Sequence, residues 1–350
     1  MAHDIDKEKV RAGRLEKLRF WRFACAAESP VVTTYNPAPG VPPLLFYHGD
    51  WDNGGLYLPR FAAELAYPLV SIAPHVDPVP RTVREMAEDR LPHLLAAQPQ
   101  GPYRIGGFCN GATVAYETAS LLIAAGHEVE LVVLVAPPSL NAGPSFRRLL
   151  RIVERLLGPA GPGSSRETQR RVGVVMTRLT ALRRLLGYSL GDIRTVVWRK
   201  RTIRSAQRRR VATSAKSPDV LAAEKAICDK SRNLNTAYSH AVYAYAPPPI
   251  AARVVVFGTG LDDNGRRRPG YDAAYDGRLW ANLTPDFLHV AVPGDHYTCI
   301  AEHAPALAGK LGALLRSPRQ RSPSRKSERQ PAPEARRLLV RAPDLTGSAP

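Results

Sequence analysis

The chain has 350 residues, 44% hydrophobic and 7% aromatic, enough to bury one large core with appendages. No apolar run reaches the roughly 18 residues of a membrane-spanning helix, and the charged start MAHDIDKEKVRAGRLEKLRFWRF has neither the apolar core of a secretory signal nor the acid-poor composition of a transit peptide. The net charge of +18 is unevenly spread, with roughly +16 between Asn141 and Pro247 and about +5 after Arg316, so the rest of the chain is near neutral.

Residues 1–30 read as a charged helical lead-in, with an imperfect apolar face of Leu15, Leu18, Phe20 and Phe23. Val31–Thr34 is an edge-strand candidate. The Pro37–Pro43 stretch is turn-rich and leads into Leu44–Tyr47, a short apolar run of the buried-strand type. His48-Gly49-Asp50-Trp51-Asp52-Asn53-Gly54-Gly55 follows as a loop whose glycines let backbone approach a ligand. Leu56–Leu65 predicts a helix, Leu69–Ala73 a strand, and Val83–Ala97 a helix that Pro92 is expected to kink or split.

Tyr103–Gly106 is the next strand, and it delivers Gly107-Phe108-Cys109-Asn110-Gly111. This fits the G-x-nucleophile-x-G elbow of α/β-hydrolases, with cysteine where serine usually stands. The spacing has a steric cause. A strained turn lifts the nucleophile into the site, and the residues two before and two after it pass too close for any side chain. The helix that follows has Val114, Ala115, Leu121 and Leu122 on its apolar positions and stops near Gly126. Its N-terminus points at Cys109, which favours a thiolate and a developing oxyanion. Val129–Val135 is an apolar strand interrupted only by Glu130. Strands and helices alternating at this pace predict an α/β-hydrolase fold, a mostly parallel sheet covered by helices on both faces.

The alternation stops at residue 141. From 141 to 247 the chain is arginine-rich and helical in pattern around Phe146–Leu157, Thr168–Leu186, Ile193–Arg210 and Val220–Tyr245, too long for a loop, and it reads as a helical cap over the site. The core resumes with strands Arg253–Phe257 and Phe287–Val292, the latter running into Pro293-Gly294-Asp295-His296-Tyr297-Thr298, and closes with a helix over Ala304–Leu315. The tail after Ser317 has the Ser, Pro and Arg content of a disordered segment. The expected division is a lead-in over 1–30, a hydrolase core over 31–140 and 248–316, a basic cap over 141–247 and a basic tail over 317–350.

Other chemistry is scarce. No His, Asp or Glu cluster has metal-ligand spacing, no P-loop or dinucleotide fingerprint occurs, and no cofactor is expected. Cys25, Cys109, Cys228 and Cys299 contain no CxxC pair, which fits neither a zinc site nor a disulfide framework and suits a reducing cytoplasm. The basic cap admits three readings: an acidic protein partner, nucleic acid, or a solvated face. The Arg199–Arg210 run holds no aromatic for base stacking, which argues against nucleic acid.

The segments Gly106-Gly107-Phe108-Cys109-Asn110-Gly111-Ala112, Val114-Ala115-Tyr116-Glu117 and Pro293-Gly294-Asp295-His296-Tyr297, with the element order around them, resemble the thioesterase domains of nonribosomal peptide and polyketide synthases over roughly residues 42–315. The resemblance implies release of an acyl or peptidyl chain from the phosphopantetheine arm of a carrier protein, or from coenzyme A. Cys109 would form the acyl-enzyme, His296 would act as general base, and the amide of Asn110 with one from the Asp50–Trp51 loop would hold the oxyanion. In this family the third member commonly follows the strand after the elbow helix, where this chain has Ala136. Asp262 or Asp263 could substitute, or the site could be a Cys–His pair. An acyltransferase on the same site, or a catalytically impaired binding protein, are the alternatives.

Overall fold

The computed structural model describes residues 30–49, 55, 57–187, 218–260, 266, 275–296 and 298–316. The lead-in, Asp50 and Trp51, the Ile193–Arg210 segment, Asp262 and Asp263, and the tail lie outside the described residues, so the expectations placed on them are not addressed by the structure. Strands β1 (Val32–Tyr35), β2 (Leu44–His48), β3 (Leu69–Ile72), β4 (Tyr103–Phe108), β5 (Val129–Val135), β6 (Arg253–Gly258) and β7 (Asp286–Ala291) form one sheet in the order β1-β3-β2-β4-β5-β6-β7. β1 pairs antiparallel with β3, and every other pairing is parallel. This is the α/β-hydrolase arrangement that the alternation predicts.

Each strand feeds two cores by its period of two. Leu45, Tyr47, Val132, Leu134, Val254 and Val256 face helices α2 (Val83–Ala97) and α3 (Asn110–Ala124). Leu44, Phe46, Val133, Val135, Val255 and Phe257 face α1 (Leu58–Leu65) and α8 (Ala304–Arg316). With both faces covered, the strands carry near-continuous apolar runs.

Glu130, the one charge in β5, pairs with Arg104 on β4 through Nε–Oε2 at 2.9 Å and Nη2–Oε1 at 3.2 Å. Arg104 also donates to the Tyr67 hydroxyl and to the Leu315 carbonyl at the end of α8, so one guanidinium ties two strands to the last helix. α2 runs unbroken through Pro92, so the proline does not split it; Pro92 lies on the exposed face. Its start is fixed by a reciprocal cap between Thr82 and Glu85 that went unread in the sequence.

The described parts of the insertion hold α4 (Pro144–Leu157), α5 (Arg166–Gly187) and α6 (Pro218–Tyr243). Phe146, Leu150, Val153, Ala160, Val172 and Met176 form a small core of its own. The end of α6 is stitched to the hydrolase core. The Tyr238 hydroxyl donates to the His75 carbonyl at 2.8 Å, and the Tyr245 hydroxyl donates to Glu117 Oε2 on α3 at 2.7 Å. Burial raises the Glu117 carboxyl above its usual range, against the opposing pull of Tyr245 and Arg84. At the other end of the insertion, Asn141 Nδ2 donates to the Val242 and Tyr245 carbonyls at 3.3 Å each, and Arg147 donates to the Pro247 carbonyl.

Candidate active site

β4 ends at Phe108 and α3 begins at Asn110, which leaves Cys109 alone to turn the chain. It does so at φ 56° and ψ −126°, a conformation L-residues adopt only when their surroundings enforce it. The enforcement is steric. A Cβ on Gly107 would sit 2.5 Å from the Gly111 carbonyl carbon, and one on Gly111 would sit 2.2 Å from the Tyr47 oxygen. Gly49 closes the same cluster, since its Cβ would fall 2.2 Å from the Phe108 oxygen. The glycine after β2 therefore serves close approach to the elbow itself, where the sequence suggested approach to a ligand. The Cys109 amide donates to the Val135 carbonyl at 3.0 Å, which locks the turn to β5.

His296 enters from the far side of the sheet, after β7. Its loop is held by Asp295. The Asp295 carboxylate accepts from the Thr298 amide at 2.9 Å, and the Asp295 amide donates to the Thr298 hydroxyl at 2.7 Å, capping the short helix α7 (Thr298–Ala301). Two rings stack on the imidazole: Phe108 at 5.3 Å between centroids and 24° between planes, and Tyr275 at 4.2 Å and 29°. Its Nε2 lies 3.1 Å from Cys109 Sγ. Across 187 residues of sequence, a sulfur on the elbow and a ring nitrogen meet within hydrogen-bond distance.

The remaining predicted residues fall as follows. Asn110 opens α3 beside Cys109, so its amide belongs to the first helical turn, whose N–H groups have no intrahelical acceptor. Ala136, in the left-handed region at φ 44°, is buried and brings no carboxylate. Cys299 is buried, and burial, with the Asp295 and Cys109 charges adding to it, pushes its thiol up to about 12, a structural cysteine and not a nucleophile. Among the described residues no group of three or more His, Cys, Asp or Glu could hold a metal ion, and no helix is long and apolar enough to cross a membrane. Sequence reasoning missed Tyr275 altogether, because nothing in its local pattern marks it. Phe108, the free position of the elbow motif, carried a signal only by adjacency.

His48, at the end of β2, is buried beneath Gly55, and desolvation pushes its imidazole down to about 3 from 6.5. It is held neutral, so it supplies structure and not a proton. The unfolded chain takes up this proton first, so the stability is fully present above pH 6.5 and is lost as pH falls toward 3. His75 and His289 are depressed by burial in the same sense. Denaturant unfolding between pH 6.5 and pH 4 should show His48→Gln with a slope shallower than the parent by about 1.4 kcal/mol per pH unit, one proton's worth. Equal slopes would remove His48 from the acid transition.

With the geometry in place, the chain can be compared with known proteins. Residues 60–158 match the family model described as Thioesterase domain. That stretch is similar in sequence to thioesterase domains. The match includes Cys109 and stops before His296, whose place in the site rests on the geometry alone. A non-reducing polyketide synthase of Cercospora nicotianae, CTB1, is 33% identical over 96 residues, covering 25% of this chain and 4% of the synthase. An indigoidine synthase of Streptomyces lavendulae is 45% identical over 58 residues, covering 17% of this chain and 4% of that one. The chain thus spans about 4% of the length of these relatives. Among solved structures, the NocB thioesterase domain in covalent complex with a fluorophosphonate nocardicin G analog is 24% identical, with a TM-score of 0.47 over 81% of this chain and 99% of that one. The type II thioesterase YbtT from the yersiniabactin pathway is 15% identical, with a TM-score of 0.47 over 82% and 98%.

Proposed function

We propose that this thioesterase releases an acyl or peptidyl chain from a carrier-protein or coenzyme A thioester through an acyl-enzyme on Cys109, with His296 as general base. The approach of Sγ to Nε2 at 3.1 Å carries the reading. His296 takes the thiol proton as sulfur attacks the thioester carbonyl; the C–S bond to the donor breaks, and the protonated imidazole returns the proton to the departing thiolate. The neutral imidazole then draws a proton from water as it attacks the new thioester, freeing the acid and restoring Cys109. The oxyanion formed in each step would fall to the amide of Asn110 and to one from the Asp50–Trp51 loop, next to Gly49 at the elbow. Asp262 or Asp263 is the proposed orienter of His296. A carrier protein is the proposed partner, since the relatives matched are polyketide and indigoidine synthases. Its acidic surface would meet Arg148, Arg151 and Arg155 on the exposed side of α4. No cofactor is proposed beyond the phosphopantetheine that carries the substrate.

A cysteine nucleophile favours a second reading on the same site. Its acyl-enzyme is a thioester of nearly the same energy as the substrate, so an amine or thiol acceptor competes well with water, and transfer in place of hydrolysis follows if such an acceptor enters. The test is intact-mass spectrometry with acyl-pantetheine donors of several lengths. The expected result is one added acyl mass mapping to the Cys109 peptide, discharged by water or faster by an added amine. No added mass and no turnover with any donor would leave a hydrolase-fold binding protein instead.

A further inference from the structure

Tyr275 comes from the segment before the 3-10 helix Gly277–Leu283, far from both elbow and β7 loop in sequence, yet its ring covers one face of the His296 imidazole at 4.2 Å. Phe108 also stacks on the imidazole, at 5.3 Å. Both rings lie within 30° of the imidazole plane, at 29° and 24°. We propose that Tyr275 is a positioning residue, whose ring closes an aromatic clamp that keeps Nε2 of His296 aimed at Cys109 and stabilises the imidazolium formed when Cys109 loses its proton. The inference rests on the Cys109–His296 chemistry proposed above.

Two physical effects act in the clamp. The first is geometric. With two rings stacked on it, the imidazole cannot rotate out of its plane without pressing on Phe108, itself held edge-on by Tyr57 at 5.4 Å, or on Tyr275. The second is electrostatic. Aromatic faces carry negative charge density, and a cation against such a face is favoured by the ring quadrupole, more so when water is excluded. His296 is buried, which disfavours its charged form, so a ring face opposes the cost of burial where an aliphatic side chain of similar size would only add to it. Among the described residues, titratable groups beside the pair include Asp295 and Cys299 on the His296 segment, and Asp276 next to Tyr275, which is paired with Arg278 at 2.5 Å.

The comparison of substitutions separates a clamp from mere packing. In a Cys109→Ser background, where no thiolate perturbs the ring, the His296 titration is followed by NMR. Tyr275→Leu keeps the site dry but removes the quadrupole, so the titration midpoint is expected to fall by about 0.5–1 pH unit. Tyr275→Phe should restore the parent midpoint, and Tyr275→Trp should match or exceed it. With Cys109 present, the same Leu variant should be alkylated by iodoacetamide about three- to tenfold more slowly at pH 7, because less of the thiolate–imidazolium pair is populated. An unchanged midpoint in the Leu and Trp variants overturns the proposal, as does a fall that Phe does not rescue. Should the Leu variant fail to fold, Tyr275→Met, equally without a ring, takes its place and is expected to show the same fall. Neither readout uses a thioester. A midpoint that moves as stated while Cys109 takes no acyl group supports the clamp and removes the thioesterase reading; the reverse result removes the clamp alone.

Discussion

Cys109→Ala is expected to lower kcat/KM for the best acyl-thioester by about a thousandfold or more, with His296→Ala close behind and the double variant scarcely worse than either. The non-additivity is the informative part. Sγ and Nε2 lie 3.1 Å apart and perform one proton transfer between them, so removing either disables the other. What survives is binding and the oxyanion amides, which stay in place because the elbow is set by backbone packing. If the two losses instead multiply, the residues act in separate steps and the acyl-enzyme route fails. Stopped-flow release of pantetheine thiol from the four proteins measures this directly.

The second large effect is on folding. Gly111→Ala should destabilise the protein by about 3–5 kcal/mol and lower Tm by about 5–15 °C. An added methyl would lie 2.2 Å from the Tyr47 oxygen and 2.8 Å from the Gly49 nitrogen. Both are backbone atoms that no rotamer change can clear, so β2 and α3 would have to separate. Gly309→Ala is the internal control. It lies in α8 with nothing within 4 Å of the new atom, and it should be neutral or stabilising by about 0.5–1 kcal/mol. Calorimetry of the two variants checks the contrast. Comparable Tm values would mean that the elbow is slack and that the strained turn at Cys109 has another origin.

Much of this architecture can be read from local pattern. The apolar runs Leu44–Tyr47, Leu69–Ile72 and Val129–Val135 announce buried parallel strands because both of their faces pack. The elbow glycines announce the strand–turn–helix because only hydrogen fits at their contacts. Cys109 and His296 are legible for the same reason: each stands in a short motif tied to one turn. Tyr275 is not, because its partner is 21 residues away and the contact arises from how a 3-10 segment lies across β7. Glu130 interrupts an apolar strand because it sits at the register shift between β4 and β5, where its carboxylate reaches Arg104, and a register shift has no local sequence mark. Pro92 does not split α2 because the turns on either side of it are anchored in the core by Met86, Leu91 and Leu94, which outweighs one lost hydrogen bond.

The seams of the insertion have a consequence for how such a chain can change. Asn141 and Arg147, where the chain leaves the sheet, bond to carbonyls of Val242, Tyr245 and Pro247, where it returns, and Tyr116 of α3 reaches the Pro248 carbonyl at 2.8 Å. Departure and return are thus fastened side by side, like the two legs of a staple. Whatever lies between them can be lengthened, shortened or exchanged for unrelated helices without a strand changing its neighbour. Natural variation and laboratory grafting alike should therefore tolerate breakpoints near 141 and 247, and new substrate preferences should be reachable there without rebuilding the elbow.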